Sequence, residues 1–125
     1  MGIDIQGVHH IMITVGDIAV AKKFYESVIG LKKVECPVKD GERIWFKMGG
    51  QELHVNLHKE FRAGISHFAL SVKPDEYHAY YEQVKSSGYE QVGQSRLYKE
   101  DNLHRFYLDD PFGNTIEVID GQINA

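Results

Sequence analysis

Val8-His9-His10-Ile11-Met12-Ile13-Thr14-Val15-Gly16-Asp17 opens on strict alternation. Ile11, Ile13 and Val15 share one face, and His10, Met12 and Thr14 share the other. A two-residue period with β-branched side chains reads as a half-buried strand. Asp17 then stands where a helix N-cap belongs, and Gly30 where a helix stops. Ile18, Ala21, Phe24, Tyr25 and Val28 lie between them at helical spacing and form an apolar stripe. Strands are expected over Leu31–Val38, Arg43–Met48 and Glu52–His58, punctuated by turns at Asp40-Gly41 and Gly49-Gly50.

The same pattern recurs further along. From Ile65 to Val72 the residues alternate again, with Phe68, Leu70 and Val72 opposed to His67, Ala69 and Ser71. Pro74-Asp75 opens a second helix striped by Tyr77, Tyr80, Tyr81 and Val84, and Gly88 closes it. Strands are expected over Tyr89–Leu97, His104–Asp109 and Thr115–Asp120, with Asp110-Pro111-Phe112-Gly113-Asn114 as the last turn. Asp17 to Gly30 and Asp75 to Gly88 span equal intervals, and the aromatic pairs Phe24-Tyr25 and Tyr80-Tyr81 fall at matching places. The chain therefore reads as an α+β fold built from one strand–helix–strands unit used twice, with modules at about 8–58 and 65–120 of a single domain spanning 1–125. Helices are expected on the outer face, leaving the inner face for a cleft.

Composition narrows the class. Hydrophobic residues at 42% and charged residues at 26% suit a globular protein with a real core. A net charge of −4 and no basic run argue against nucleic acid as a partner. Cys36 is the only cysteine, so no intrachain disulfide or thiolate metal cluster can form, and a reducing, cytoplasmic setting is expected. The first sixteen residues are too polar for a signal peptide, and no run of about 20 apolar residues is present to span a membrane.

Polar residues on the faces opposite the apolar ones carry the chemistry. His10 and His67 occupy equivalent places on the two opening strands. On the closing strands Leu53, Val55 and Leu57 oppose His54, Asn56 and His58, while Glu117 opposes Ile116 and Val118. Three imidazoles and a carboxylate at repeat-equivalent places suit a divalent metal such as Zn, Ni, Mn or Fe. Trp45, Arg105 and Tyr107 lie on the neighbouring strands and are candidates to shape a small-molecule pocket, although Arg105 also has Asp109 in reach as a surface partner. His9, His58, His78 and His104 are read as packing or surface residues.

The run from Val8 to Val15 with Asp17, Phe24-Tyr25 and Gly30-Leu31 resembles the opening of the vicinal oxygen chelate superfamily. Ile65-Ser66-His67-Phe68-Ala69-Leu70-Ser71-Val72 resembles its second opening strand. The stretch from Phe106 through Asp110-Pro111-Phe112-Gly113-Asn114 to Glu117 resembles its closing signature. That superfamily includes glyoxalase I, fosfomycin and bleomycin resistance proteins, methylmalonyl-CoA epimerase and extradiol dioxygenases. The resemblance implies paired βαβββ modules, a curved and incompletely closed sheet, and a metal held by His10, His67 and Glu117. It also implies a homodimer and Lewis-acid chemistry on a substrate with two chelating oxygens, most simply of the glyoxalase lyase or isomerase type. A ring-cleaving iron dioxygenase and a ligand-sequestering protein are the alternatives. His54 stands where glyoxalase I has a glutamate and the epimerase a glutamine, with Glu52 on the same face as a substitute. Glu117 is then the carboxylate left for proton transfer. Met12 stands where the fosfomycin enzymes have a threonine beside the first ligand.

Overall fold

The computed structural model describes residues 5–60 and 67–123. Ile65 and Ser66, expected at the start of the second opening strand, lie outside the described residues. The chain divides into two compact units, 1–62 and 63–125.

In the first unit β1 (His10–Val15) leads into α1 (Ile18–Lys23), a π-helical turn (Phe24–Ile29), then β2 (Lys32–Val34), β3 (Arg43–Met48) and β4 (Gln51–Leu57). The sheet order is β1-β4-β3-β2. β1 and β4 run parallel, which the helical crossover permits, and the remaining pairs are antiparallel. Asp17 caps the helix as its residue type predicts, its Oδ1 accepting from the Val20 amide at 2.9 Å. α1 packs on β3 and β4, and Ala21, Phe24, Tyr25, Ile29, Ile44, Phe46, Leu53 and Val55 are buried together. Replacing Asp17 by Ala should cost about 1 kcal/mol of stability, read as a lower urea midpoint with unchanged slope.

Two expectations change here. The helix does not keep α geometry to Gly30; the amides of Gly30 and Leu31 both donate to the Tyr25 carbonyl. The wider turn lets Phe24 and Ile29, five positions apart, bury on one side, so Ile29 replaces Val28 in the stripe. Gly30 then adopts φ +91°, a left-handed conformation that glycine takes without strain. β2 is also far shorter than Leu31–Val38. Pro37 has no amide to donate, and the Cys36 thiol turns to the Val38 carbonyl at 3.4 Å.

The second unit repeats the plan with β5 (His67–Ser71), α2 (Pro74–Lys85), β6 (Arg96–Tyr98), β7 (Leu103–Asp109) and β8 (Thr115–Ile119). Its order is β5-β8-β7-β6, again with the first and last strands parallel. Tyr77, Val84, Phe106, Leu108, Ile116 and Val118 form the core, with Phe106 against Tyr77 and Tyr81. The buried Tyr77 hydroxyl is satisfied by Ser95 Oγ at 2.6 Å. Pro74 takes the first helical position after Lys73, so Asp75 sits in the first turn and is not the cap. β6 covers only the end of the expected Tyr89–Leu97 strand. Gly93 donates to the Tyr107 carbonyl at 2.7 Å, and a Cβ there would meet that oxygen at 3.0 Å. This close approach leaves only an isolated bridge between Val92 and Leu108 before β6 begins.

Burial pushes the Tyr80 phenol up to about 12, and Tyr77 and Tyr89 are also raised, by burial first. Unfolded phenols ionise near pH 10. A raised folded value means this stability is complete below about pH 10 and is lost as pH climbs toward the folded value. Urea midpoints should therefore fall between about pH 9 and about pH 11, and Tyr80→Phe should shrink that fall.

Candidate functional site

Strand register sets the candidate residues in parallel positions. His10 pairs with Glu52 and Met12 with His54; His67 pairs with Thr115 and Ala69 with Glu117. His54 therefore stands to His10 as Glu117 stands to His67. Trp45 is the β3 partner of His54, and Tyr107 is the β7 partner of Glu117. The repeat read from residue spacing is thus also a repeat of hydrogen-bonded register.

In the first unit the side chains form a layered stack. His54, 8% exposed, lies between the Trp45 ring at 3.8 Å and the His10 ring at 4.0 Å, with interplanar angles of 3° and 16°. Its Nε2 lies 2.9 Å from Glu52 Oε1. A carboxylate there draws the ring proton to Nε2, so the lone pair of neutral His54 sits on Nδ1. His10 is exposed, and its Nδ1 is 2.9 Å from Nδ1 of His9. His9, read as a packing residue, is thus exposed and a direct neighbour of a candidate ligand.

In the second unit the carboxylate is the centre. Glu117 is 6% exposed, and its Oε1 lies 2.8 Å from His67 Nε2. Arg105 Nη1 lies 3.7 Å from Glu117 Oε2. Tyr107 stands edge-on to the His67 ring at 5.5 Å. Its phenol is pushed up by burial first, then by the Glu117 charge and the hydrogen bond to that carboxylate, so it remains a donor. Arg105 pairs with Asp101 and lies over the Tyr98 ring at 4.5 Å. The Asp101 hydrogen bond is the first cause raising the Arg105 guanidinium above its usual value. Asp109, the expected partner of Arg105, instead accepts from Thr115 Oγ1 at 2.7 Å. Arg105 Nε is buried and has no hydrogen-bond partner among the described residues.

The last turn holds β8 in place. Asp110, 2% exposed, accepts from the amides of Phe112 and Asn114 at 2.8 and 2.9 Å. The Asp-Pro-Phe-Gly-Asn run signalled the turn, and an Asp opening such a Pro- and Gly-containing run is the signal for this local capping. Tyr98 and Asp101 were missed because no strand alternation marks them; the β6–β7 turn puts Asp101 on Arg105, whose guanidinium lies over the Tyr98 ring.

His10 and His54 are thus brought together in one unit, and His67 and Glu117 in the other. Among the described residues, no three His, Cys, Asp or Glu side chains gather as a metal cluster. The donor types nevertheless suit a divalent ion: imidazoles and a buried carboxylate with one oxygen on an imidazole.

A βαβββ unit used twice, with an imidazole or carboxylate pair at the same register in each copy, defines a class. The chain belongs to the glyoxalase/bleomycin resistance protein/dioxygenase superfamily, whose family model matches residues 7–118. Its sequence is 24% identical over 124 residues to the metallothiol transferase FosB of Lysinibacillus sphaericus, covering 95% of this chain and 85% of the relative. A glyoxalase family protein from Bacillus anthracis is similar in structure, with a TM-score of 0.84 and 30% identity, covering 98% of this chain and all of that one. A variant of the FosX fosfomycin resistance protein from Listeria monocytogenes shares the fold at a TM-score of 0.77 and 18% identity, covering 96% and 94%; it was solved with Mn(II) and a dihydroxypropylphosphonic acid.

Proposed function

We propose that this protein is a metal-dependent enzyme of the glyoxalase type, a lyase or isomerase acting on a small anionic substrate with two chelating oxygens. The observation that carries the reading is the buried Glu117 carboxylate, held between His67, Arg105 and Tyr107. A carboxylate this buried needs partners of opposite charge, and a divalent ion beside His67 would be the strongest. His67 and Glu117 would hold the ion in the second unit, and the superfamily resemblance carries His10 and His54 as further candidate ligands. When bound, the ion supplies Lewis-acid polarisation of substrate oxygen.

The remaining residues have roles that follow from their contacts. Arg105, fixed over Tyr98 with its guanidinium beside Glu117, is the cation that would bind an anionic group of the substrate. Tyr107 donates to Glu117 and steadies it as the carboxylate that moves a proton. Trp45 and Glu52 fix the plane and tautomer of His54. The small chain works as a homodimer.

Elemental analysis of freshly purified, untagged protein tests this. Near-stoichiometric Mn, Fe, Ni or Zn, lost in His67→Ala, is the expected result. Protein without such metal, and with metal content indifferent to His67→Ala, would overturn it. The similarity to metallothiol transferases favours one second reading, metal-assisted addition of a thiol, in which substrate-dependent consumption of free thiol replaces isomerisation.

A further inference from the structure

We propose that His78 and His104 form a second, separate binding site for a borderline divalent cation such as Zn²⁺. It lies on the helix side of the second sheet, away from the face that carries Glu117. His104 belongs to β7 and shares its face with the buried Phe106 and Leu108, whereas Arg105 and Tyr107 occupy the opposite face. His78 projects from the first half of α2 and is exposed.

The His104 ring is held from two directions. Its Nδ1 is 2.9 Å from Asp120 Oδ2, and its backbone amide donates to Asp120 Oδ1 at 2.8 Å. The Tyr77 ring packs against it at 5.5 Å. A carboxylate on Nδ1 keeps the proton there and leaves the Nε2 lone pair outward, which is how carboxylates orient metal-binding imidazoles. No hydrogen bond within the described residues occupies His104 Nε2 or either nitrogen of His78.

The spacing fits shared ligation. The rings of His78 and His104 lie 5.0 Å apart between centroids, at 73° to each other. With a metal–nitrogen distance of about 2.0 Å, two imidazoles on one tetrahedral ion have centroids roughly 5 Å apart. Two protein donors and water complete the shell, so binding is modest. The ion ties the start of α2 to β7 and so stabilises the second unit.

Calorimetric titration of chelator-stripped, untagged protein with Zn²⁺ tests the proposal. The expected result is a binding event weakened at least about tenfold in His78→Ala and in His104→Gln, and retained in His67→Ala. Asp120→Asn should weaken the same event by about 10- to 100-fold. His78 is exposed, so its truncation leaves folding unchanged, verified by circular dichroism without metal. An isotherm of His78→Ala that overlays the wild type would overturn the site. So would loss of every Zn²⁺ event in His67→Ala, whereas loss of one of two events there concerns the Glu117 site alone.

Discussion

Glu117→Gln should lower metal affinity by at least about 100-fold and abolish turnover while leaving the fold intact. Removing a residue that merely orients a ligand costs about 10- to 100-fold, and Glu117 is proposed as a ligand and the proton carrier as well. The amide keeps the shape of the carboxylate, so Ile116 and Val118 on either side stay packed. It removes the negative charge between His67 and Arg105. Arg105 retains Asp101, so the stability change should stay within about 1–3 kcal/mol. Metal content per chain and the urea midpoint, measured on the same preparation, separate the two effects. Full metal content in a folded Glu117→Gln protein would contradict the proposed ligand set.

Phe106→Ala should be the most damaging core substitution, costing about 3–5 kcal/mol. Phe106 is fully buried on β7 and is the contact shared by Tyr77 and Tyr81 of α2. Truncation leaves a cavity where two tyrosines of the helix pack on the sheet of the second unit. Domains of this kind have only about 5–15 kcal/mol in total, so a large fraction disappears. Leu97→Ala, at a position 51% exposed, should stay within about 0.5 kcal/mol. Urea denaturation of the two variants measures the contrast. A Phe106→Ala midpoint close to that of Leu97→Ala would show that α2 is not anchored through this ring.

Alternation along the chain was a dependable guide wherever one strand face was buried, because a shift of one residue would expose every apolar side chain. Ile44 and Phe46, Leu53 and Val55, Phe106 and Leu108, and Ile116 and Val118 all follow it. The duplicated unit was legible for the same reason, as was the equivalence of His54 with Glu117. Where backbone pairing depended on a local exception, the pattern misled. β2 stops at Val34, ahead of Pro37, Gly93 brings its backbone against Tyr107, and the π turn moves burial from Val28 to Ile29.

Residue order by itself determined the α+β class, the two βαβββ units, the superfamily, and which face of each strand carries His10, His54, His67 and Glu117. Those features follow from side-chain period and from the few residues that turns and caps accept. Tertiary structure alone decided what those side chains touch. Rotamers place Glu52 on the Nε2 of His54 and Asp101 on Arg105, two and four residues away, while strand pairing places Trp45 on His54 and Asp120 on His104. Such contacts depend on rotamer choice and on the three-dimensional register of paired strands, which no local period encodes. The opening stretch shows both sides: its alternation named His10 as a site residue, and only the fold laid its ring against His54.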